Sequence, residues 1–265
     1  MGISLFMLFR YNRFHNAVYS GIANEFSGRI NKQYNTIEYY FQLKKTNDSL
    51  VKANEKLYNR LKSDFDMADT SSALAVDTLR IDSLTQVRRF MYMQAKVVGN
   101  SVAAQNNFIQ LHRGADQDVT GDLGVIDINN SVVGTTMDVS KNFSVVMSLL
   151  NVQSNVSAKL KKSGETGSVV WDGKETNVVM LKDISKVVKV AKGDTVITSG
   201  FSEKFPYGLM IGTVTDVVND KSLSHYIIKV KTSANFYNLQ YVYVINNLQK
   251  DEARELLNKV KKRNE

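Results

Sequence analysis

Hydrophobic positions along this chain change period twice. Between Ile30 and Phe65 there is no proline, Gly28 lies just before the segment and helix formers are frequent, which predicts one continuous helix. Leu43, Leu50 and Leu57 recur every seven residues as d positions, and Tyr40, Asn47, Asn54 and Leu61 then fall at the a positions. An asparagine at a costs stability, but it can pair with its copy across a parallel dimer and so fix register and oligomer state. The alternative is an amphipathic helix lying on its own domain, for which two asparagines in the apolar stripe are an awkward choice. The seam therefore predicts a homodimer, and a weak one without an anchor or partner, because it is only a few heptads long.

From Asp66 to Arg89 the pattern dissolves into Asp, Ser, Thr and Ala with scattered apolar residues, which reads as a connector with short helical or extended pieces. From Met91 onward, short β-branched or alternating runs are separated by Gly, Asn and Asp turns. Strands are predicted at 91–98, 107–112, 123–129, 131–139, 144–149, 156–160, 167–171, 177–180, 195–198, 210–218, 226–231 and 241–245. Such closely spaced strands leave no room for parallel crossovers and indicate antiparallel barrels or sandwiches. About a dozen strands exceed one small barrel and suit two, with a break near 151–155, although a late strand can return to the first lobe. From Leu248 the chain turns Lys- and Glu-rich with Leu256, Leu257 and Val260 on one side, a short, partly exposed terminal helix. The fold class is mainly β: an N-terminal coiled-coil helix, two small β-barrel lobes and a short C-terminal helix.

The absence of cysteine excludes disulfides, thiolate metal sites and cysteine nucleophiles. A formal charge of +8 suits nucleic acid or an anionic bilayer, but the basic residues are interspersed with acids and form no long block. A solvated lysine-rich surface is the simpler reading. Aromatics interleaved with lysines near Tyr226–Lys231 hint at an oligonucleotide-binding face, but strand alternation accounts for them, so no nucleic-acid partner is expected. His15, His112 and His225 belong to no short metal-ligand motif, and no phosphate-cradling glycine loop is present, so no metal or cofactor is expected. A serine-protease-like triad would need Ser199 as nucleophile with His112 or His225 as base, but Thr198-Ser199-Gly200 lacks a nucleophile elbow. The apolar run Ile3–Phe9, followed by Arg10 and Tyr11, is far shorter than a bilayer span and lacks the flanks of a signal peptide. It fits either the last part of a membrane anchor or a packed N-terminal turn.

The most informative stretch is Val190–Val214. It contains Lys192-Gly-Asp-Thr-Val-Ile-Thr-Ser-Gly200 and Phe205-Pro-Tyr-Gly-Leu-Met-Ile-Gly212, and reads as turn, strand, turn, strand. The spaced residues Gly193, Asp194, Thr198, Ser199 and Gly200, then Phe205, Pro206, Gly208 and Gly212, resemble the signature of the bacterial rod-shape protein family MreC. Gly134 after Asn130-Ser-Val-Val, and Gly167 and Trp171 within 164–173, are further family-like pieces, and the likeness covers roughly 95 to 248. These motif residues are expected mainly to shape the fold.

The resemblance implies a membrane-anchored, non-enzymatic scaffold of the cell-wall elongation machinery, with its bulk in the periplasm or outside the cytoplasm. It implies a single N-terminal membrane helix, of which Ile3–Phe9 would be the surviving end. It also implies partners: a class B penicillin-binding protein, which it would bind and regulate, with MreD and MreB, as a homodimer or higher assembly. The expected segments are 1–29 (anchor end and juxtamembrane), 30–66 (coiled coil), 67–90 (connector), 91–152 (first lobe), 153–247 (second lobe) and 248–265 (terminal helix). The partner surface is open; an inter-lobe groove is expected to serve. The competing class is a periplasmic adaptor of a transport system, in which a helical hairpin usually interrupts the β sequence.

Overall fold

The computed structural model describes residues 43–60, 65–67, 78–81, 84–218 and 224–264. The run Ile3–Phe9, His15, and the seam positions Tyr40 and Leu61 lie outside the described residues. Among the described residues no helix is long and apolar enough to cross a membrane.

Residues 43–58 form helix α1, which ends in a turn at 59–60. The predicted continuation to Phe65 does not hold, because Phe65–Met67 is strand β1. The stop has a tertiary cause. The Asn59 side chain donates to the Tyr92 carbonyl at 3.0 Å and accepts from the Tyr92 amide at 2.9 Å, as a neighbouring strand would. The Asn59 carbonyl, which a longer helix would use internally, accepts from the Arg88 guanidinium at 2.8 Å instead.

The described parts of the connector are extended, one of the forms expected of it. Strands β1, β2 (Thr78–Ile81) and β3 (Leu84–Arg88) make an antiparallel sheet in the order β1-β3-β2.

The twelve predicted strands are all present, shifted by a few residues at their ends. The first barrel comprises β4 (Phe90–Asn100), β5 (Asn106–Leu111), β6 (Gly124–Asp127), β7 (Val132–Val139) and β8 (Ser144–Asn151). It is closed by the late strand β15 (Tyr241–Asn247), which pairs with both β4 and β6. The second comprises β9 (Asn155–Leu160), β10 (Thr166–Val170), β11 (Val178–Ser185), β12 (Thr195–Thr198), β13 (Met210–Val218) and β14 (His225–Thr232). The orders are β15-β4-β5-β8-β7-β6 and β10-β11-β14-β13-β12-β9, each closed on itself. The second barrel thus ends at Thr232 and not at 247, since β15 belongs to the first. No long helix interrupts the described part of β4 to β15, which contains only 3-10 turns at Ala115–Gln117 and Phe236–Asn238.

Alternation explains the strands. Along β5 the residues run exposed, buried, exposed, buried, and β9 and β10 keep the same period of two. Closure removes the sheet edges that would otherwise invite pairing with other chains. The first core gathers Ile109, Leu111, Val125, Val146, Leu149 and Val244; the second gathers Val156, Ala158, Leu160, Val169, Leu181 and Val230, all essentially inaccessible. Gly212 shows why a barrel strand needs a glycine: a Cβ there would lie 2.1 Å from the Lys231 carbonyl oxygen. Gly134 and Gly167 occupy comparable tight positions in β7 and β10.

Helix α2 (Lys250–Asn264) follows β15. Leu256 and Val260 remain exposed on it.

Candidate functional site at the barrel junction

The signature loop between β12 and β13 sits where the barrels meet. Thr198 is buried and its hydroxyl organises the loop, donating to the Pro206 carbonyl at 2.7 Å and accepting from the Leu209 amide at 2.9 Å. The Ser199 hydroxyl lies 2.8 Å from that of Ser157 and accepts from the Phe201 amide at 3.1 Å. Gly200 has φ of 79°, and a Cβ there would be 2.9 Å from that of Tyr207, so the turn requires glycine. Gly193 and Gly208 are likewise at positive φ, and Asp194 accepts from the Ala191 amide at 2.8 Å to close its turn. Trp171, just past β10, is buried with its indole N–H donating to the Glu175 carbonyl at 2.9 Å.

Phe205 is the plug between the barrels. Its side chain is 2% exposed and lies against Gly124 of β6, where a Cβ would come within 2.7 Å of the ring and 2.4 Å of the Lys204 carbonyl. Beside it the Met210 amide donates to the Asn130 carbonyl at 3.1 Å, and Ser131 forms a parallel bridge with Met210. Asp127 holds the β6–β7 loop by accepting from the Asn129 and Ser131 amides, both at 2.8 Å. Burial pushes its carboxyl above the usual range despite those bonds.

A charged cluster fastens the same junction and was not foreseen, because its members come from separate segments. Asp122 accepts from Lys204 at 3.2 Å and from Arg254 of α2 at 3.1 Å, while Arg254 also reaches Glu203 at 2.7 Å. Asn247 donates to the Glu203 carbonyl at 3.0 Å, and the Lys250 ammonium donates to the Gly121 carbonyl at 2.8 Å. Partial burial works against the Asp122 charge, but Lys204 and Arg254 outweigh it and hold the carboxyl below its ordinary range. For Lys250, burial and the neighbouring Arg254 act together to lower its pKa.

Two aromatic rings stand out from this rigid frame. Phe201 is 78% exposed and Tyr207 is 62% exposed, with the Lys159 ammonium 6.0 Å and 5.3 Å from their ring centres. Phe201 borders a cleft of about 180 Å³ that Arg89, Glu203, Asn247 and Ala253 also line.

The histidines do not assemble a triad. His112 stacks on Phe143 with ring centres 5.0 Å apart, and His225 bonds the Ser224 hydroxyl at 2.9 Å; neither is bonded to Ser199. Among the described residues no cluster of three or more His, Asp or Glu is arranged to hold a metal ion.

The described seam positions of α1 are exposed. Leu43, Leu50 and Leu57 are 48%, 58% and 62% exposed, and Asn47 and Asn54 are exposed with them. The opposite side of residues 51–59 packs on the first barrel. Val51 is buried there and its carbonyl accepts from the Tyr243 hydroxyl at 3.0 Å, while Tyr58 meets Tyr92 and Tyr243 at ring separations of 5.3 Å and 5.1 Å. Burial, then the neighbouring Tyr58 and Glu55, pushes the Tyr243 phenol up to about 12.

Comparison with known proteins agrees with this architecture. A cell shape-determining protein MreC from Listeria monocytogenes is 27% identical over 167 residues, 62% of this chain and 57% of its own length. The match therefore spans little more than half of that relative. A Listeria MreC structure superposes with a TM-score of 0.54 at 25% identity, covering 80% of this chain and 92% of its own. The major periplasmic domain of a cell shape-determining MreC filament matches with a TM-score of 0.53 over 60% of this chain and 97% of its own; at 18% identity this likeness concerns the fold. The family model for the barrel core of the rod shape-determining protein MreC matches residues 97–246, so the chain belongs to the MreC family of cell shape-determining proteins.

Proposed function

We propose that this chain is a non-catalytic scaffold of the cell-wall elongation machinery, held at the cytoplasmic membrane with its barrels outside the cytoplasm. In this reading it binds and regulates a class B penicillin-binding protein, in an assembly with MreD and MreB. The observation that carries the docking surface is the exposure of Phe201 and Tyr207 on a loop that the Thr198 and Ser199 hydroxyls tie at Phe201, Pro206 and Leu209. Rigid aromatic rings lose little entropy on binding and are favoured as interface anchors. A loop of this kind between two fastened barrels suits recognition, whereas the Ser199 hydroxyl is engaged by Ser157 and Phe201 and bonds no histidine among the described residues.

Self-association belongs to the same proposal. With Val51 and Tyr58 against the barrel, the exposed leucine seam is left for a second copy, giving a dimer that presents two docking surfaces and raises the effective concentration of bound synthase.

The test is binding of the purified chain to the extracytoplasmic domain of a class B penicillin-binding protein by biolayer interferometry. Saturable binding is expected, weakened by about tenfold or more when Phe201 and Tyr207 are both changed to Ala. Unchanged affinity in that variant would move the docking surface elsewhere; no binding by the wild type would overturn the scaffold reading.

A further inference from the structure

A second concave surface lies on the opposite type of chemistry, between α1 and the first barrel. It is a groove of about 570 Å³, within the range of small-molecule sites, and all the side chains lining it are polar. Lys52 and Lys56 project into it from α1, one helical turn apart, Lys96 from β4, and Arg113 from just beyond β5. Glu55 is the single carboxylate among the lining residues.

The three lysines are not paired among the described residues. Lys141, Lys192, Lys204, Lys229 and Arg254 each reach a carboxylate within 4.0 Å, but the ammonium groups of Lys52, Lys56 and Lys96 make no ion pair among the described residues. Arg113 is oriented by neutral acceptors only: its Nε donates to the Gln117 carbonyl at 3.2 Å and a terminal nitrogen donates to the Gln94 carbonyl at 2.8 Å. Its position is thereby set while its charge stays uncompensated. The groove walls are fixed as well, since Asn59 ties the end of α1 to Tyr92 of β4.

We propose that this groove is an anion-binding site for a phosphate-bearing hydrophilic ligand, such as a diphosphate or a phosphate-ester headgroup. Several convergent cations around a concavity favour a multivalent oxyanion, which offers more acceptor oxygens than a single carboxylate. The lining argues against two other anions. An acidic peptide segment draws much of its affinity from apolar anchors, and no apolar side chain lines the groove. A single-stranded nucleic acid needs stacking rings, and His112 is already stacked on Phe143. The site is separate from the aromatic loop at the barrel junction and does not depend on the docking role given to that loop.

The experiment is a calorimetric titration of the whole chain with inorganic pyrophosphate at low ionic strength, alongside the variant Lys52→Glu, Lys56→Glu, Lys96→Glu. Because those three ammonium groups make no ion pair among the described residues, the variant should keep the wild-type melting temperature. Saturable binding with a Kd at or below about 1 mM is expected, weakening as salt is added. The triple variant should lose at least about tenfold in affinity, while Lys192→Glu, on the second barrel, should lose none. Absence of saturable binding, or equal affinity in the triple variant, overturns the proposal. Cosedimentation with phosphatidylglycerol vesicles then separates the sources. Vesicle binding lost in the triple variant and displaced by pyrophosphate identifies a lipid headgroup; pyrophosphate binding without vesicle binding identifies a soluble phosphate compound.

Discussion

Gly124 carries more of the barrel junction than its size suggests. A methyl group there meets a backbone carbonyl as well as the Phe205 ring, so the strain cannot be relieved by a side-chain rotation alone. Gly124→Ala is expected to cost about 2–3 kcal/mol in urea unfolding, toward the upper end of overpacking effects. Thr198→Val keeps the shape but leaves the Pro206 carbonyl and the Leu209 amide without their partner, at about 1–3 kcal/mol for each group that stays dry. By contrast Phe201→Ala removes an exposed ring and should change stability by less than about 0.5 kcal/mol. Equal losses in all three variants would mean that the loop is not organised as described. Thr198 and the motif glycines were legible as structural residues from their spacing. Gly124 was not, because nothing near it in sequence announces that Phe205 packs against it.

Helix α1 presents different chemistry on two sides, and the two can be separated by substitution. Leu50→Ala with Leu57→Ala alters only exposed seam positions, so the barrels should melt at the wild-type temperature while the dimer mass seen by light scattering falls toward that of a monomer. Asn59→Ala should do the reverse. It leaves the Tyr92 amide and carbonyl without their partner, which costs about 1–3 kcal/mol and should speed hydrogen exchange along residues 51–59 without removing the seam. A wild-type chain that is monomeric at every concentration would show that α1 does not assemble the protein by itself. The heptad spacing made the helix readable, and the leucines it singled out are exposed on it. Its end was not readable, because the residue that stops it finds its partner 33 positions later. Strands β1–β3 could be foreseen only as short helical or extended pieces of a connector, because a polar, Ser- and Ala-rich stretch has no strong period of its own. The twelve barrel strands were easier, since alternation and turn residues are local signals, and even the return of β15 left a trace in the uneven split of five predicted strands before the break near 151–155 and seven after it.

At the scale of the whole molecule, what joins the barrels is a short list of contacts drawn from separate segments: Phe205 on Gly124, Met210 on Asn130, and the ion cluster of Asp122, Glu203, Lys204 and Arg254. The cluster makes the junction pH-dependent in a definite direction. The Asp122 carboxyl is held below its ordinary range in the folded chain, so its contribution is fully present above the ordinary carboxylate pKa. That contribution is lost as pH falls through the lowered value. Asp127, pushed upward by burial, acts in the opposite sense: its contribution is present below the ordinary pKa and lost as pH rises through the raised one. The raw acid stability of the protein therefore mixes the two. Comparing wild type with Asp122→Asn isolates the first, and asparagine tolerates the positive φ of 63° found at this position. In urea unfolding at a series of pH values, the wild type should be the more stable protein near neutrality, by a modest margin because the groups are partly exposed. The margin should close on acidification and shrink with added salt at neutral pH. A margin that stays constant across pH would mean that Lys204 and Arg254 do not stabilise the Asp122 charge, and the fastening of the barrels would then rest on the remaining contacts, Phe205 on Gly124, the Met210–Asn130 bond and the bonds to Glu203 among them.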